Sequence, residues 1–209
     1  ASAELALALR ARADHREMRP QEVIFRADDP AGGLLCVLSG RVDLHLPNLR
    51  GGRTLVHAFG PGWWLGDLAA ISGENRRFEH VAARPSKILC LSRAELSRLC
   101  KAHPAAWKCL AMLSAENLRL TVDAFEEHRM GDAKARIAAC LLRLHRTGPG
   151  WQGRLPVSQA DLASIALFSR RIVIGCLARL EEQGAVKRRY RNVEITDIGG
   201  LERSVRAAS

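Results

Sequence analysis

The 209-residue chain is poor in aromatic residues, at 5%, and has a single Tyr. No uninterrupted apolar run approaches the roughly eighteen residues of a membrane-spanning helix, so no such helix is expected. Six cysteines, at positions 36, 90, 100, 109, 140 and 176, are spread too widely for C-x-x-C metal or redox motifs. There is no His-x-His pair of the kind a cupin-type metal site uses. No Ser/His/Asp set or phosphate-cradling glycine loop stands out either. Neither catalytic nor metal-ligating residues are therefore assigned, and no enzyme is expected. The opening residues Ala1-Ser2-Ala3-Glu4 lack the basic and apolar blocks of a signal peptide. Scattered thiols without an export signal lead to the expectation of a reduced, cytoplasmic protein with no membrane partner.

What is present is a large apolar fraction and an uneven charge. Hydrophobic residues make up 47% of the chain, enough to exclude wholesale disorder. Lys and Arg total 32 against 22 Asp and Glu, a net +10. Residues 1–104 hold 15 basic and 11 acidic side chains, residues 105–131 hold 3 and 4, and residues 132–209 hold 14 and 7. The last third thus carries a net +7, and a basic domain favours polyanions, nucleic acid first.

These three stretches also differ in pattern. The first, 1–104, reads as β. Val23-Ile24-Phe25, Leu34–Leu38, the alternating Val42, Leu44 and Leu46, Leu55–Phe59 and Ile88–Leu91 are short apolar segments. Turn signals separate them at Asp28–Gly33, Ser39-Gly40, Gly51-Gly52 and Gly60-Pro61-Gly62. A closed β-roll or sandwich is expected, flanked by helices over Glu4–Arg16 and Arg93–Lys101. The second stretch, 105–131, predicts one long helix from Pro104 to Arg129. Leu110, Leu113, Asn117, Leu120 and Ala124 step by three and four, as in a heptad seam with one polar member, and are expected to form a dimer interface. Leu118, Val122 and Phe125 lie on another face, expected to pack on the β-roll. The alternative is an ordinary core helix with two apolar sides. Met130-Gly131-Asp132 ends this helix, and Ala133–Arg146 starts another.

The third stretch, 132–209, holds the most informative pattern. Ser158-Gln159-Ala160-Asp161 reads as a capped helix start, close to a capping box. Leu167-Phe168-Ser169 is a short turn, and Ser169 can cap the next helix. In that helix Val173, Cys176, Leu177 and Leu180 mark a buried face. Arg170, Arg171, Ile174, Gly175 and Ala178 lie on the opposite face, and Arg179 is counted with the DNA-binding candidates. Two helices joined by a three-residue turn, with basic residues opening the second, fit the geometry that reads a major groove of double-stranded DNA. Val186–Ile195 then reads as a β-hairpin wing whose tip carries Lys187, Arg188, Arg189 and Arg191, suited to phosphates. A solvated charged loop after an αα-hairpin is the plainer alternative.

At these residues the chain resembles the Crp/Fnr regulators. The resemblance covers nearly its whole length: Phe25–Ala31 with Leu38–Val42, Phe59-Gly60-Pro61-Gly62, Leu65-Gly66-Asp67-Leu68, Arg136-Ile137-Ala138, Ser158–Ala163 and Ser169-Arg170. It implies an α+β chain with an N-terminal β-roll of the jelly-roll, cupin-like kind, a long dimerisation helix and a C-terminal winged helix-turn-helix. It further implies a homodimer on palindromic operators, with RNA polymerase as a further partner. Its effector pocket maps onto Trp64, Gly66, Asp67, Leu68, Arg77, Phe78 and Thr121, and its DNA-binding residues include Ser158 and Gln159.

Several departures bear on function. Cyclic-AMP-binding members carry Gly-Glu-Leu and a following Arg-Ser; here the positions read Gly66-Asp67-Leu68 and Arg77-Phe78. Asp67 is a carbon short for a ribose hydroxyl and Phe78 has no hydroxyl for a phosphate, so cyclic AMP is not the expected effector. The N-terminal cysteine cluster of iron–sulfur members is missing, since the first cysteine is Cys36. His80 is a lone histidine near the region where haem-sensing members place a ligand. No cofactor is assigned. In the second helix Arg171 replaces the family's Glu and Gly175 its later Arg, so a different operator is expected. A ligand-binding β-roll without DNA, and a cupin-like metalloenzyme, are the competing readings.

Overall fold

A computed structural model describes residues 3–48 and 52–207. Helix α1 (Ala3–Arg10) precedes eight strands, β1 (Asp14–Met18), β2 (Val23–Phe25), β3 (Leu34–Ser39), β4 (Val42–Pro47), β5 (Arg53–Phe59), β6 (Trp64–Leu65), β7 (Glu79–Ala82) and β8 (Ser86–Leu91). A short helix, α2 (Asp67–Ser72), lies between β6 and β7. The expected helix over Glu4–Arg16 is corrected: it stops at Arg10, and Asp14–Met18 is an edge strand on β8. Four of that strand's five residues are exposed, so it carries no alternation that would mark it. The turn expected at Gly51-Gly52 includes Gly51, which lies outside the described residues, as do Ala1 and Ser2; the flanking β4 and β5 pair antiparallel.

The strands form two four-stranded antiparallel sheets, β1-β8-β3-β6 and β2-β7-β4-β5. Between them lies a core that includes Leu35, Val37, Val42, Phe59, Ala82 and Ile88, the jelly-roll arrangement. The chain enters α2 through Gly66, at φ 92°, a left-handed conformation that glycine adopts at little cost. This turn sets Asp67 at the start of α2, facing the next helices.

Helices α3 (Arg93–Ala102) and α4 (Ala105–Arg129) follow. On α4, Leu110 and Leu120 are buried against the β-roll side, and Leu113 packs with Leu110. Trp107, Met112, Leu118, Val122 and Phe125 are exposed, Phe125 by 66%. Leu118, Val122 and Phe125, expected to pack on the β-roll, are thus exposed instead. The seam of Leu110, Leu113, Asn117, Leu120 and Ala124 faces the chain's own β-roll and its cavity, and Leu118, Val122 and Phe125 face outward. Both stripes have the three-and-four spacing of a helix, and packing rather than period decides between them.

The C-terminal part comprises α5 (Ala133–Arg146), β9 (Arg154–Leu155), α6 (Gln159–Ile165), α7 (Arg170–Glu182), β10 (Val186–Arg189), β11 (Asn192–Ile195) and α8 (Ile198–Arg206). Helix α8 and strand β9 carry no clear sequence signal. Helix α5 is capped by Asp132, whose carboxylate accepts from the Ala135 amide at 2.9 Å. Ile137, Leu141, Leu144, Leu162, Leu177 and Leu180 build a second core, and Leu55 and Ala58 of β5 join it. This core therefore continues from the helix-turn-helix into the edge of the β-roll. Among the described residues no helix is long and apolar enough to cross a membrane.

Candidate functional site

Local chemistry places the helix-turn-helix. The Ser158 hydroxyl accepts from the Asp161 amide at 3.1 Å, and Asp161 accepts from the Ser158 amide at 2.8 Å, a reciprocal capping box. Helix α6 is stopped by Leu167, which holds φ 54°. That conformation favours glycine, and here the backbone bonds from Leu167 to the Ser164 carbonyl at 3.3 Å and from Phe168 to the Ala163 carbonyl at 3.0 Å hold a leucine in it. Ser169 then caps α7. Helix α7 buries Val173, Cys176, Leu177 and Leu180 and exposes Arg170, Arg171, Ile174 and Arg179. Nothing lies within 4 Å of where a Cβ on Gly175 would stand, so this part of the face is open.

Strands β10 and β11 pair from Val186↔Ile195 to Arg189↔Asn192 and form the wing, with β9 as its third strand. The four basic residues of the wing are not equivalent. The Arg188 guanidinium is 2.6 Å from Glu181, and its amide donates to the same carboxylate. Arg189 is 3.6 Å from Glu194. Lys187 and Arg191 are exposed and form no ion pair among the described residues. Ser158, Gln159, Arg170, Arg189, Tyr190 and Arg191 line one groove of about 180 Å³, which joins the starts of α6 and α7 to the wing tip. The sequence reading missed Tyr190, 89% exposed at the tip. Its signal was present: the only Tyr of the chain stands between two arginines at a hairpin turn.

The second feature is a cavity of about 660 Å³ between the β-roll, α2 and α4. Gly66, Asp67, Leu68, Arg77, Phe78 and Thr121 line it as expected from the resemblance. Trp64 does not; it packs into the cluster of Leu34, Leu91 and Leu99. Asp67 is buried, and its two oxygens accept from Ser114 Oγ and Asn117 Nδ2, each at 2.8 Å. Asn117 in turn accepts from Trp63 Nε1 at 3.2 Å. The acid of the pocket motif is thus tied to the long helix. Arg77 is exposed, and Arg76, which sequence reasoning passed over, is the buried arginine of the pair. Its guanidinium lies 3.5 Å over the Phe25 ring and donates to the Gly33 carbonyl at 3.0 Å. His80 is buried on the same wall, and burial, reinforced by Arg76 and His45, holds it at about 3 and so neutral.

Two buried polar clusters join these parts. In the first, Arg41 of the β-roll grips Asp43 at 2.6 and 2.9 Å, Asp161 at 2.8 Å and the Pro156 carbonyl at 2.7 Å. Burial pushes the Asp43 carboxyl up to about 6 against the pull of Arg41. Burial also acts on Asp161, but Arg41 and Ser158 outweigh it and hold that carboxyl below its usual range. In the second cluster Arg143 makes a two-point contact with Glu127 at 2.7 and 2.8 Å and donates to His57 Nδ1 at 2.5 Å. Since Arg143 only donates, His57 carries its proton on Nε2 and donates to Thr147 Oγ1 at 2.9 Å. His57 and Arg143 also line the cavity, so this cluster connects its wall to α4 and α5.

A β-roll with a cavity, a long helix and a winged helix-turn-helix with an open basic face have the architecture of a DNA-binding regulator. Comparison with known proteins agrees. Residues 15–103 match the cyclic nucleotide-binding domain family, and residues 135–204 match the Crp-like helix-turn-helix domain. The chain is 31% identical to the cyclic AMP receptor protein of Thermus thermophilus over 193 residues, covering 90% of this chain and 86% of that protein. The crystal structure of the Thermus thermophilus catabolite activator protein aligns at 28% identity over 100% of this chain and 97% of its own, with a TM-score of 0.53. FixK2 of Bradyrhizobium japonicum, at 21% identity, shares the fold with a TM-score of 0.78 over 91% of this chain and 96% of its own. The chain belongs to the Crp/Fnr family of DNA-binding transcription regulators.

Proposed function

We propose that this regulator works as a homodimer that binds two inverted operator half-sites, and that its effector is not cyclic AMP. The division into a sensor at 1–104, a dimerisation helix at 105–131 and a DNA-binding domain at 132–209 follows from that reading. The observation that carries it is the outward face of α7. Arg170, Arg171 and Ile174 stand exposed beside the wing while the other face is buried in the second core. Arg170 and Arg171 are suited to guanine edges, Ile174 to a thymine methyl, and Gly175 lets the backbone approach. Ser158, Gln159, Ser169 and Arg179 flank this face and serve phosphate contacts, with Lys187 and Arg191 at the wing.

The dimer interface is the exposed stripe of α4, Trp107, Leu118, Val122 and Phe125. A contiguous apolar stripe on a long helix calls for a partner, and a second copy supplies a matching one about a two-fold axis. Leu118 belongs both to this stripe and to the cavity wall, which links the effector site to the interface. The Asp67 contacts with Ser114 and Asn117, and Phe78 in place of a hydroxyl residue, argue against a nucleotide. RNA polymerase is the expected protein partner and the cytoplasm the expected location. Fluorescence anisotropy with a selected operator tests the reading: two chains bind per duplex, and Arg170→Ala lowers the preference for operator over random DNA. One chain per duplex contradicts it.

A further inference from the structure

We propose that the β-roll cavity binds a hydrophobic carboxylic acid whose carboxylate sits on the buried Arg76 guanidinium. This rests on the reading above that the effector is not a cyclic nucleotide, and it names the class that takes its place. The argument starts from charge. Three arginines line the cavity. Arg143 is neutralised by its two-point contact with Glu127. Arg77 is exposed to water. Arg76 is only 4% exposed, stacks on Phe25, donates to the Gly33 carbonyl, and forms no ion pair among the described residues. A buried charge is normally paired, because the interior does not solvate it as water does. Asp67 does not serve, since both its oxygens are engaged by α4. The Asp29 carboxylate, which accepts from the Arg26 amide at 2.7 Å, acts on Arg76 electrostatically but makes no ion pair with it. His80 on the same wall is neutral. An anion is therefore the complement of this wall, and a planar carboxylate matches the guanidinium edge.

The remaining walls decide what the anion is attached to. Leu44, Leu46, Phe59, Leu65, Ile71 and Phe78 line the space, and its 660 Å³ suits a small organic molecule. Ser72, Asn75 and Thr121 also line the cavity, but most of its wall is apolar, so the ribose hydroxyls and purine nitrogens of a nucleotide would find few partners there. An alkyl or aryl acid instead has one polar end and an apolar body that gains by burial.

The test uses the full chain, with decanoate as the probe, decanol as its uncharged match and cyclic AMP as the nucleotide, each titrated by calorimetry. Decanoate is expected to bind at least about tenfold more tightly than decanol, and more tightly than cyclic AMP. Arg76→Gln brings decanoate to the level of decanol and leaves decanol unchanged. Because Arg76 also supports Phe25, Phe78→Ser serves as a second variant: it weakens both decanoate and decanol, and operator binding without probe reports that its fold is intact. Equal binding of decanoate and decanol, or binding of neither, overturns the carboxylate site and leaves the non-nucleotide reading standing. Cyclic AMP binding more tightly than decanoate overturns both.

Discussion

The Arg41 guanidinium of the β-roll lies 2.8 Å from the Asp161 carboxylate that caps the first helix of the helix-turn-helix. A side chain 120 positions earlier therefore helps fix the start of α6. Arg41 is 4% exposed and also pairs with Asp43, so the arginine side of the contact is shielded from water while the Asp161 side chain remains 28% exposed. Ser164 donating to the Leu55 carbonyl at 2.9 Å and Trp151 donating to the Gly40 carbonyl at 3.1 Å support the same junction.

Removing Arg41 leaves Asp43 buried without its counter-charge. Arg41→Ala is expected to destabilise the fold by about 3–5 kcal/mol, the range for breaking a buried pair. Asp161→Asn keeps the shape of the cap but removes its charge, and is expected to be milder. Urea denaturation measures both. In each variant limited proteolysis near Met130-Gly131 should also speed up, since the DNA-binding part loses its anchor while the bend at Gly131 stays open. Unchanged stability and cleavage in Arg41→Ala would show that this ion pair does not hold the parts together.

Substitutions on the two faces of α4 should separate cleanly. Leu118→Glu with Val122→Glu leaves the core untouched and should give a folded monomer near 23.0 kDa by sedimentation. Leu110→Glu with Leu120→Glu puts charges into buried positions and should unfold the chain. If the outward pair leaves the protein dimeric, the interface lies elsewhere.

How far these features were legible in the sequence differs from one to the next. The recognition helix was readable because Ser158, Ser169 and the spacing of Val173, Cys176, Leu177 and Leu180 are local signals. The orientation of α4 was not. Its two apolar stripes have the same period, and only three-dimensional packing, the burial of Leu110 and Leu120 and the contact of Asn117 with Asp67, shows which one turns inward. The same limit applies to Arg76 and Arg77. Adjacent residues of one type differ only in which way the strand entry turns them, and the structure buries the one the motif did not favour. The edge strand Asp14–Met18 was illegible because an exposed strand needs no apolar alternation.

The basic residues of the recognition helix and wing should fall into distinct classes. Arg170→Ala and Arg171→Ala should relax preference at defined positions, each by about 1–3 kcal/mol of discrimination. Lys187→Ala and Arg191→Ala should weaken all DNA alike and lower the salt slope by about one unit for each phosphate no longer neutralised. Arg188→Ala should do less, because Glu181 already holds that side chain. Tyr190→Ala should lower affinity with the salt slope unchanged, since an uncharged side chain displaces no counterion. Binding isotherms across a salt series distinguish these outcomes.

Stability should fall on mild acidification. Burial and Arg76 hold His80 at about 3, and burial with Arg143 holds His57 well below its usual range. In the unfolded chain both titrate near about 6.5, so below that pH the unfolded state binds protons the folded state refuses. Their contribution is complete above about pH 6.5 and is lost as pH falls, at up to about 1.4 kcal/mol per unit for each. Asp43, pushed up to about 6 by burial, acts with the opposite sign and offsets part of the loss below that pH. Urea denaturation of wild type and His80→Gln between pH 7.5 and 5.5, limits chosen to bracket the roughly 6.5 midpoint, checks this. The variant should show a shallower dependence, and an equal slope would contradict the assignment.

Selection of bound duplexes from a random DNA library with the purified protein tests the central claim most directly. The account predicts enriched sites made of two inverted half-sites whose centres lie about one helical turn apart, because a two-fold dimer presents two α7 helices at that spacing. Arg170→Ala and Arg171→Ala should each lose information at the same positions in both halves. Enrichment of single, unpaired half-sites, or no enrichment over the starting library, would contradict it.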